Sequence, residues 1–294
     1  MLTKYINRII VTVVISVSIS TVTAQEFKAP TKLPPPESKG YAPVNGIKMY
    51  YETYGTGKPI VLVHGSYMTI PLNFSEVIPI LSKTNRVIAV ELQGHGRTAD
   101  TGRPFSYDVL ADDIAGLLDH LRLDSAILLG YSFGATIVLN TAIRHPSKVT
   151  KLVFISSTFK HDGWTPDVRQ ILKMIVPECF EKTPLKTYYD SLAPYPANWK
   201  PFVKKLAAFD TTHFDLGKSN LRKIKCPVLI IKADNDGVDL HHTTEMYSLL
   251  GGNISADMVP QPKSQLVVIP NKAHVTLMMD TEELMRYVKP FVWQ

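Results

Sequence analysis

The sequence predicts an α/β architecture: a mostly parallel β-sheet covered by helices on both faces, with a small helical insertion. Three observations predict it. Short continuous apolar runs recur, at Ile60-Val61-Leu62-Val63, Val87-Ile88-Ala89-Val90, Ile127-Leu128-Leu129, Leu152-Val153-Phe154-Ile155, Val228-Leu229-Ile230-Ile231 and Leu266-Val267-Val268-Ile269. Runs without polar alternation are what strands buried on both faces show. Helical periodicity lies between the runs, and strands that alternate with helices make a parallel sheet. Third, a tight glycine-flanked corner, Gly130-Tyr131-Ser132-Phe133-Gly134, separates one such run from a helical pattern that Pro146 stops.

Taken in order, the chain opens with Lys4 and Arg8 ahead of an apolar stretch from Ile9 to about Ser20, and Val22-Thr23-Ala24 supplies small residues before Gln25. That stretch falls short of the roughly 20 apolar residues a membrane span needs and suits a cleaved secretory signal over residues 1–24. The expectation is therefore a periplasmic or secreted protein with no stable membrane insertion once the signal is removed. Residues 25–45 are rich in proline and lysine, lack apolar periodicity, and read as a tether.

From residue 46 the core pattern begins. Residues 47–54 alternate as a strand does, and residues 107–121 place Leu110, Ile114, Leu117, Leu118 and Leu121 at helical spacing behind a cap at Ser106. Residues 46–158 and 221–294 are expected to form the core. Residues 159–220 contain no strand pattern, are cut by Pro177, Pro184, Pro194, Pro196 and Pro201, and are crowded with aromatics, among them Trp164, Phe180, Trp199, Phe202, Phe209 and Phe214. A structureless loop of that length is improbable in a compact domain, so a helical cap is expected there. A helix is also expected over 282–288, opened by Asp280 with Glu283 three residues on.

Composition excludes some functions. The chain of 294 residues has 32 basic and 26 acidic side chains, and without Lys4 and Arg8 the balance is 30 against 26. No block of like charge stands out, so nothing points to nucleic acid. Cys179 and Cys226 are too few for a disulfide framework and read as unpaired small hydrophobes, although one bridge is open to an exported protein. His241-His242 with Glu245 has helical spacing suited to a metal but no visible third ligand, and reads as a solvated helix face. His64 and His95 read as braces of their own loops.

The chemistry gathers at strand ends, where open α/β sheets bind ligands. Ser132 lies at such an end, and a serine hydroxyl needs a base and an orienting acid to become a nucleophile. Asp236 follows one apolar run in PVLIIKADNDGV, and His274 follows another in LVVIPNKAHVTLMMD. The residue after the nucleophile, Phe133, and the loop His64-Gly65-Ser66 can supply backbone N–H donors for an oxyanion. Five features run in order: His64-Gly65, the turn Gln93-Gly94-His95-Gly96-Arg97-Thr98, the Gly130–Gly134 corner, Asp236 and His274.

In these features the chain resembles the α/β-hydrolase superfamily over residues 46–294. The resemblance implies Ser132 as nucleophile, Asp236 as acid, His274 as base, the N–H groups of Ser66 and Phe133 as oxyanion hole, and 159–220 as the cap. Glu91 stands where many relatives have aspartate, Ala233 where they often have glycine, and no proline follows the acid. The last two departures leave Asp234 and Asp239 as competitors of Asp236.

The function expected is that of an exported serine hydrolase acting on a small hydrophobic acyl or aryl ester, without metal or organic cofactor. Peptidase, lactonase, carbon–carbon hydrolase and perhydrolase chemistries stay open, as does a binding protein that keeps the fold and captures ligands without turnover. A serine at position 132 excludes the relatives whose nucleophile is aspartate, the dehalogenases and epoxide hydrolases.

Overall fold

The computed structural model describes residues 30–293, so the expected signal segment lies outside the described residues. The strands are β1 (Ser38–Val44), β2 (Ile47–Tyr54), β3 (Lys58–Val63), β4 (Asn85–Val90), β5 (Ala126–Tyr131), β6 (Val149–Ile155), β7 (Val228–Asn235) and β8 (Gln265–Ala273). They form one sheet in the order β1-β2-β4-β3-β5-β6-β7-β8. β1 with β2 and β2 with β4 are antiparallel; every other pair is parallel.

The continuous apolar runs are explained by what lies on each face. Val61, Val63, Leu128, Leu152 and Ile230 pack with Leu110, Ile114 and Leu117 of the helix Tyr107–His120 and with Ile137 of the helix Phe133–Arg144. Their immediate neighbours Ile60, Leu62, Leu129, Val153 and Ile231 pack on the other face with Leu284, Val288 and Phe291 of the helix Thr281–Trp293. Each such side chain contributes about 1.5–3 kcal/mol on burial, which is why neither register face can be polar. Ser106 caps the helix Tyr107–His120 by accepting from Val109 N–H at 3.1 Å.

The tether expected over 25–45 is corrected in its second half. Residues 38–44 form β1, with Ala42 and Val44 buried and Tyr41 and Pro43 exposed. Alternation of that kind defines a half-buried strand, and Pro43 is tolerated because β1 is an edge.

Between β6 and β7 the chain builds helices, Pro166–Lys173, Pro184–Leu192, Trp199–Asp210 and Lys218–Leu221 among them. The prolines that interrupt the sequence here open turns: Pro166, Pro177, Pro184 and Pro196 each stand at a helix start, where a missing N–H costs nothing. The helix Trp199–Asp210 buries Trp199, Phe202, Val203 and Leu206 against the core. Cys179 is exposed and Cys226 half-buried, and they are not bonded. Among the described residues no helix is long and apolar enough to cross a membrane.

Two features of this topology position the site. β3 and β5 are neighbours although β4 intervenes in sequence, so their carboxyl ends flank the point where strand order reverses. The β7–β8 register also shifts between Ala233 and Asn235, leaving Asn235 opposite Ala273. An irregularity of this kind re-aims the residues that follow it.

Candidate active site

Ser132 stands between β5 and the helix Phe133–Arg144 with φ 53° and ψ −120°. A non-glycine residue at positive φ stores strain that its surroundings must enforce. They do so here through bonds and close packing. Ser132 N–H donates to Ile155 O at 2.9 Å, and Ser132 O accepts from Ala135 N–H at 2.9 Å. A Cβ on Gly130 would lie 2.6 Å from Ala135 Cα, and one on Gly134 2.6 Å from His64 O. Both glycines are thus required by close approach.

His274 begins the helix His274–Met279 directly at the end of β8. Its Nε2 lies 3.0 Å from Ser132 Oγ and its Nδ1 3.0 Å from Asp236 Oδ1. The structure therefore brings Ser132, His274 and Asp236 into one hydrogen-bonded line. The Asp236 side chain is wholly buried. Burial pushes its pKa up, but the facing His274 and the Val238 N–H, which donates to Oδ1 at 3.2 Å, outweigh it and hold the carboxyl below the usual range.

The two competing acids are engaged elsewhere. Asp234 accepts from the N–H groups of Asn271 at 3.0 Å and Lys272 at 3.2 Å, fixing the end of β8 that presents His274. Asp239 caps the helix Leu240–Leu249 by accepting from His242 N–H at 2.8 Å. Lys232, buried in β7, donates to Val238 O at 2.8 Å and ties down the loop that carries Asp236.

The two candidate oxyanion donors, Ser66 and Phe133, follow the ends of β3 and β5. Among the described residues no protein group accepts from the N–H of Ser66 or Phe133. Phe133 is the first residue of a 12-residue helix, whose N-terminus favours negative charge. The Ser66 loop is pinned by its neighbours: Gly65 N–H donates to Asn73 Oδ1 at 2.9 Å and Tyr67 N–H to His95 Nε2 at 3.2 Å.

His64 and His95 brace these loops in the same way. His64 Nδ1 donates to Gly65 O at 2.8 Å while Nε2 accepts from Leu92 N–H at 3.1 Å. His95 Nδ1 donates to Gln93 O at 2.9 Å, its Nε2 being the acceptor of Tyr67 N–H. Burial lowers the His64 pKa to about 4 and the His95 pKa well below the ordinary value, so both are neutral. Glu91 is buried beneath the turn that follows, accepting from Arg97 N–H at 2.6 Å and pairing with its guanidinium at 2.8 Å. Burial pushes its pKa up to about 7 against the pull of Arg97.

His242 corrects the reading of a solvated face. It is buried, its Nε2 accepts from Phe159 N–H at 3.1 Å, and its ring stacks on Phe159 at 4.2 Å. Glu245 pairs instead with Lys218 and Lys160. Among the described residues no group of three or more His, Cys, Asp or Glu is placed to hold a metal.

A family model described as alpha/beta hydrolase fold matches residues 58–198, from β3 through the Ser132 corner. A solved meta-cleavage product hydrolase from Pseudomonas fluorescens IP01 superposes with a TM-score of 0.67 over 87% of this chain and 97% of its own, at 22% identity. A carboxylesterase from Bacillus subtilis gives a TM-score of 0.65 over 86% and 90%, at 18% identity. The chain has the α/β-hydrolase fold.

Among curated proteins, a 2-hydroxymuconate semialdehyde hydrolase of Pseudomonas sp. (strain CF600) is 40% identical over 117 residues, which is 38% of this chain and 41% of that relative. A 2-hydroxy-6-oxo-2,4-heptadienoate hydrolase of Pseudomonas putida is 39% identical over 115 residues, or 38% and 42%. The chain thus spans about two fifths of the length of these relatives.

Several further side chains surround this site. Tyr131 OH donates to His274 O at 2.9 Å, and Trp164 sets its edge toward the His274 ring at 5.7 Å. Tyr131 was findable, since it precedes the serine inside the corner motif. Lys232 and Asp210 carried no signal: one is a polar residue at the end of an apolar run, the other an ordinary helix end.

Proposed function

We propose that this α/β-hydrolase is a serine hydrolase that cleaves carboxylic esters of hydrophobic acyl or aryl groups, and that it is exported. The observation that carries the reading is the line from Asp236 Oδ1 through His274 to Ser132 Oγ, with a 3.0 Å contact on each side of the imidazole. In this reading His274 Nε2 takes the Ser132 proton as Oγ attacks the acyl carbon, and Asp236 holds the ring and balances the imidazolium. The oxyanion is received by the N–H groups of Ser66 and Phe133. The imidazolium then protonates the leaving alkoxide, and the acyl-enzyme is hydrolysed by a water that His274 deprotonates. Export is supported by the charged and apolar pattern of residues 1–24 alone.

Carbon–carbon hydrolysis is the second reading, favoured by the two curated relatives whose names specify such substrates. Those substrates are carboxylates. Against it stands Asp210, an acid near the oxyanion loop that no basic side chain pairs with among the described residues.

The experiment compares kcat/KM for p-nitrophenyl butyrate, an aminoacyl p-nitroanilide and a 2-hydroxy-6-oxo-dienoate. The ester is expected to lead. A clear lead for the anilide moves the protein to the peptidases, and a lead for the dienoate to the carbon–carbon hydrolases.

A further inference from the structure

One acidic side chain beside the Ser132 site has no part in acyl transfer. Asp210 is the last residue of the helix Trp199–Asp210. Tyr67 OH, one residue from the oxyanion donor Ser66, reaches its Oδ2 with a long bond of 3.4 Å. Among the described residues no Lys, Arg or His pairs with it, whereas buried Asp113 is held by Arg103 and Asp100 by Lys205 at 2.7 Å. A helix C-terminus adds negative potential of its own, so a carboxylate is doubly out of place there without a cation. Burial accordingly holds the Asp210 pKa up at about 7, with Tyr67 acting the other way.

The surroundings are a partly accessible edge of the aromatic core, in which Tyr67 and Phe133 are buried. Asp210 and Tyr107 are enclosed by protein yet each keeps accessible surface, as do Phe209 and Ser132. The walls are aromatic. The Tyr67 ring lies 4.8 Å from Phe180; Phe209 lies 5.1 Å from Tyr107 and 6.0 Å from Phe133, the residue after the nucleophile. Asp210 bears electrostatically on both Tyr67 and Tyr107.

We propose that Asp210, with Tyr67, Tyr107 and Phe209, forms a subsite for a cationic ammonium group, so that preferred substrates are esters carrying a charged or quaternary amine. The assignment rests on the serine-hydrolase reading of the same site. An ammonium supplies the missing partner of the carboxylate, meets the negative end of the helix, and has beside it aromatic rings, which attract cations. A neutral substrate of the same shape leaves the acid unpaired, and an anionic one is repelled.

The test measures kcat/KM for choline butyrate and its carbon isostere 3,3-dimethylbutyl butyrate, in the wild-type protein and in Asp210→Asn. The wild type is expected to favour the choline ester by roughly ten- to thirtyfold, the range of a desolvated cation–π and charge contact. In Asp210→Asn the ratio is expected to fall to about one. A wild-type ratio near one, or a ratio unchanged in the variant, overturns the subsite. If neither ester is hydrolysed, calorimetry with phenyltrimethylammonium decides: saturable binding lost in Asp210→Asn supports the subsite, and no binding to the wild type sinks it. Should Asp210→Asn fail to fold, the wild-type ratio and wild-type binding decide alone. Failure of the serine-hydrolase reading is seen separately, as absence of labelling by a fluorophosphonate.

Discussion

Ser132 Oγ lies 3.0 Å from His274 Nε2, and His274 Nδ1 lies 3.0 Å from Asp236 Oδ1, so the proposed chemistry depends on these three side chains. Ser132→Ala is expected to lower kcat by about 10⁶-fold while leaving the denaturant midpoint in place; a tenth of wild-type turnover in a stable variant would remove Ser132 from the mechanism. Asp236→Asn is expected to cost about 10⁴-fold in kcat by misorienting the imidazole. Asp239→Asn, by contrast, changes only an N-cap, where asparagine serves as well as aspartate, and should leave both rate and stability nearly unchanged. Equal rate penalties for the two would mean that the acid has been misplaced. Ser132 and His274 were legible because each follows an apolar run at a strand end. Asp236 was one of three acids within six residues, and what separates them is the register shift between Ala233 and Asn235, a pairing fact no local pattern encodes.

Elements decide how closely these residues approach. The β5 corner brings Gly134 against the β3 loop, so Gly134→Ala must push His64 O away and with it the loop that carries Ser66. The expected loss is about 3 kcal/mol or more of unfolding free energy, read from urea denaturation. Gly40→Ala, whose new Cβ would meet nothing closer than 3.6 Å, is the control and should stay within about 0.5 kcal/mol. Similar penalties at the two positions would show that the corner is not packed as described. The elements most visible in sequence were the inner strands, since burial on two faces leaves no polar alternation. β1 was missed because Pro43 and Lys39 masked the alternation of Ala42 and Val44, and an edge strand tolerates both.

At the scale of the whole molecule, three buried histidines stay neutral: His64 and His242 with pKa values lowered by burial to about 4, and His95 held well below its ordinary value. At these three sites the unfolded chain protonates near 6.5, so between about pH 6.5 and 4 they bind more protons unfolded than folded and weaken the fold as pH falls. Each of His64 and His242 contributes on the order of 3 kcal/mol to that loss. Asp100 and Asp236, whose carboxyls lie below their ordinary range, add theirs only at still lower pH. Glu91 and Asp210, whose carboxyls burial holds up at about 7, take up protons in the fold over the same range and offset part of that loss. The neutral assignments are therefore checked by NMR of the imidazoles, and a folded His64 or His242 titrating near the ordinary value of about 6.5 would contradict them. Export has its own check: intact mass of the protein recovered from a bacterial periplasm is expected to start at Gln25, and a chain retaining Met1 would refute it. The sheet order that places β3 beside β5 was implied by the sequence only through its motifs, since strand order depends on crossovers rather than on any residue. The nucleophilic role of Ser132 is tested most sharply by peptide mapping after treatment with a fluorophosphonate. A single adduct on Ser132, lost in Ser132→Ala and slowed in Asp236→Asn, is the predicted result; no adduct, or an adduct elsewhere with ester turnover intact, would contradict it.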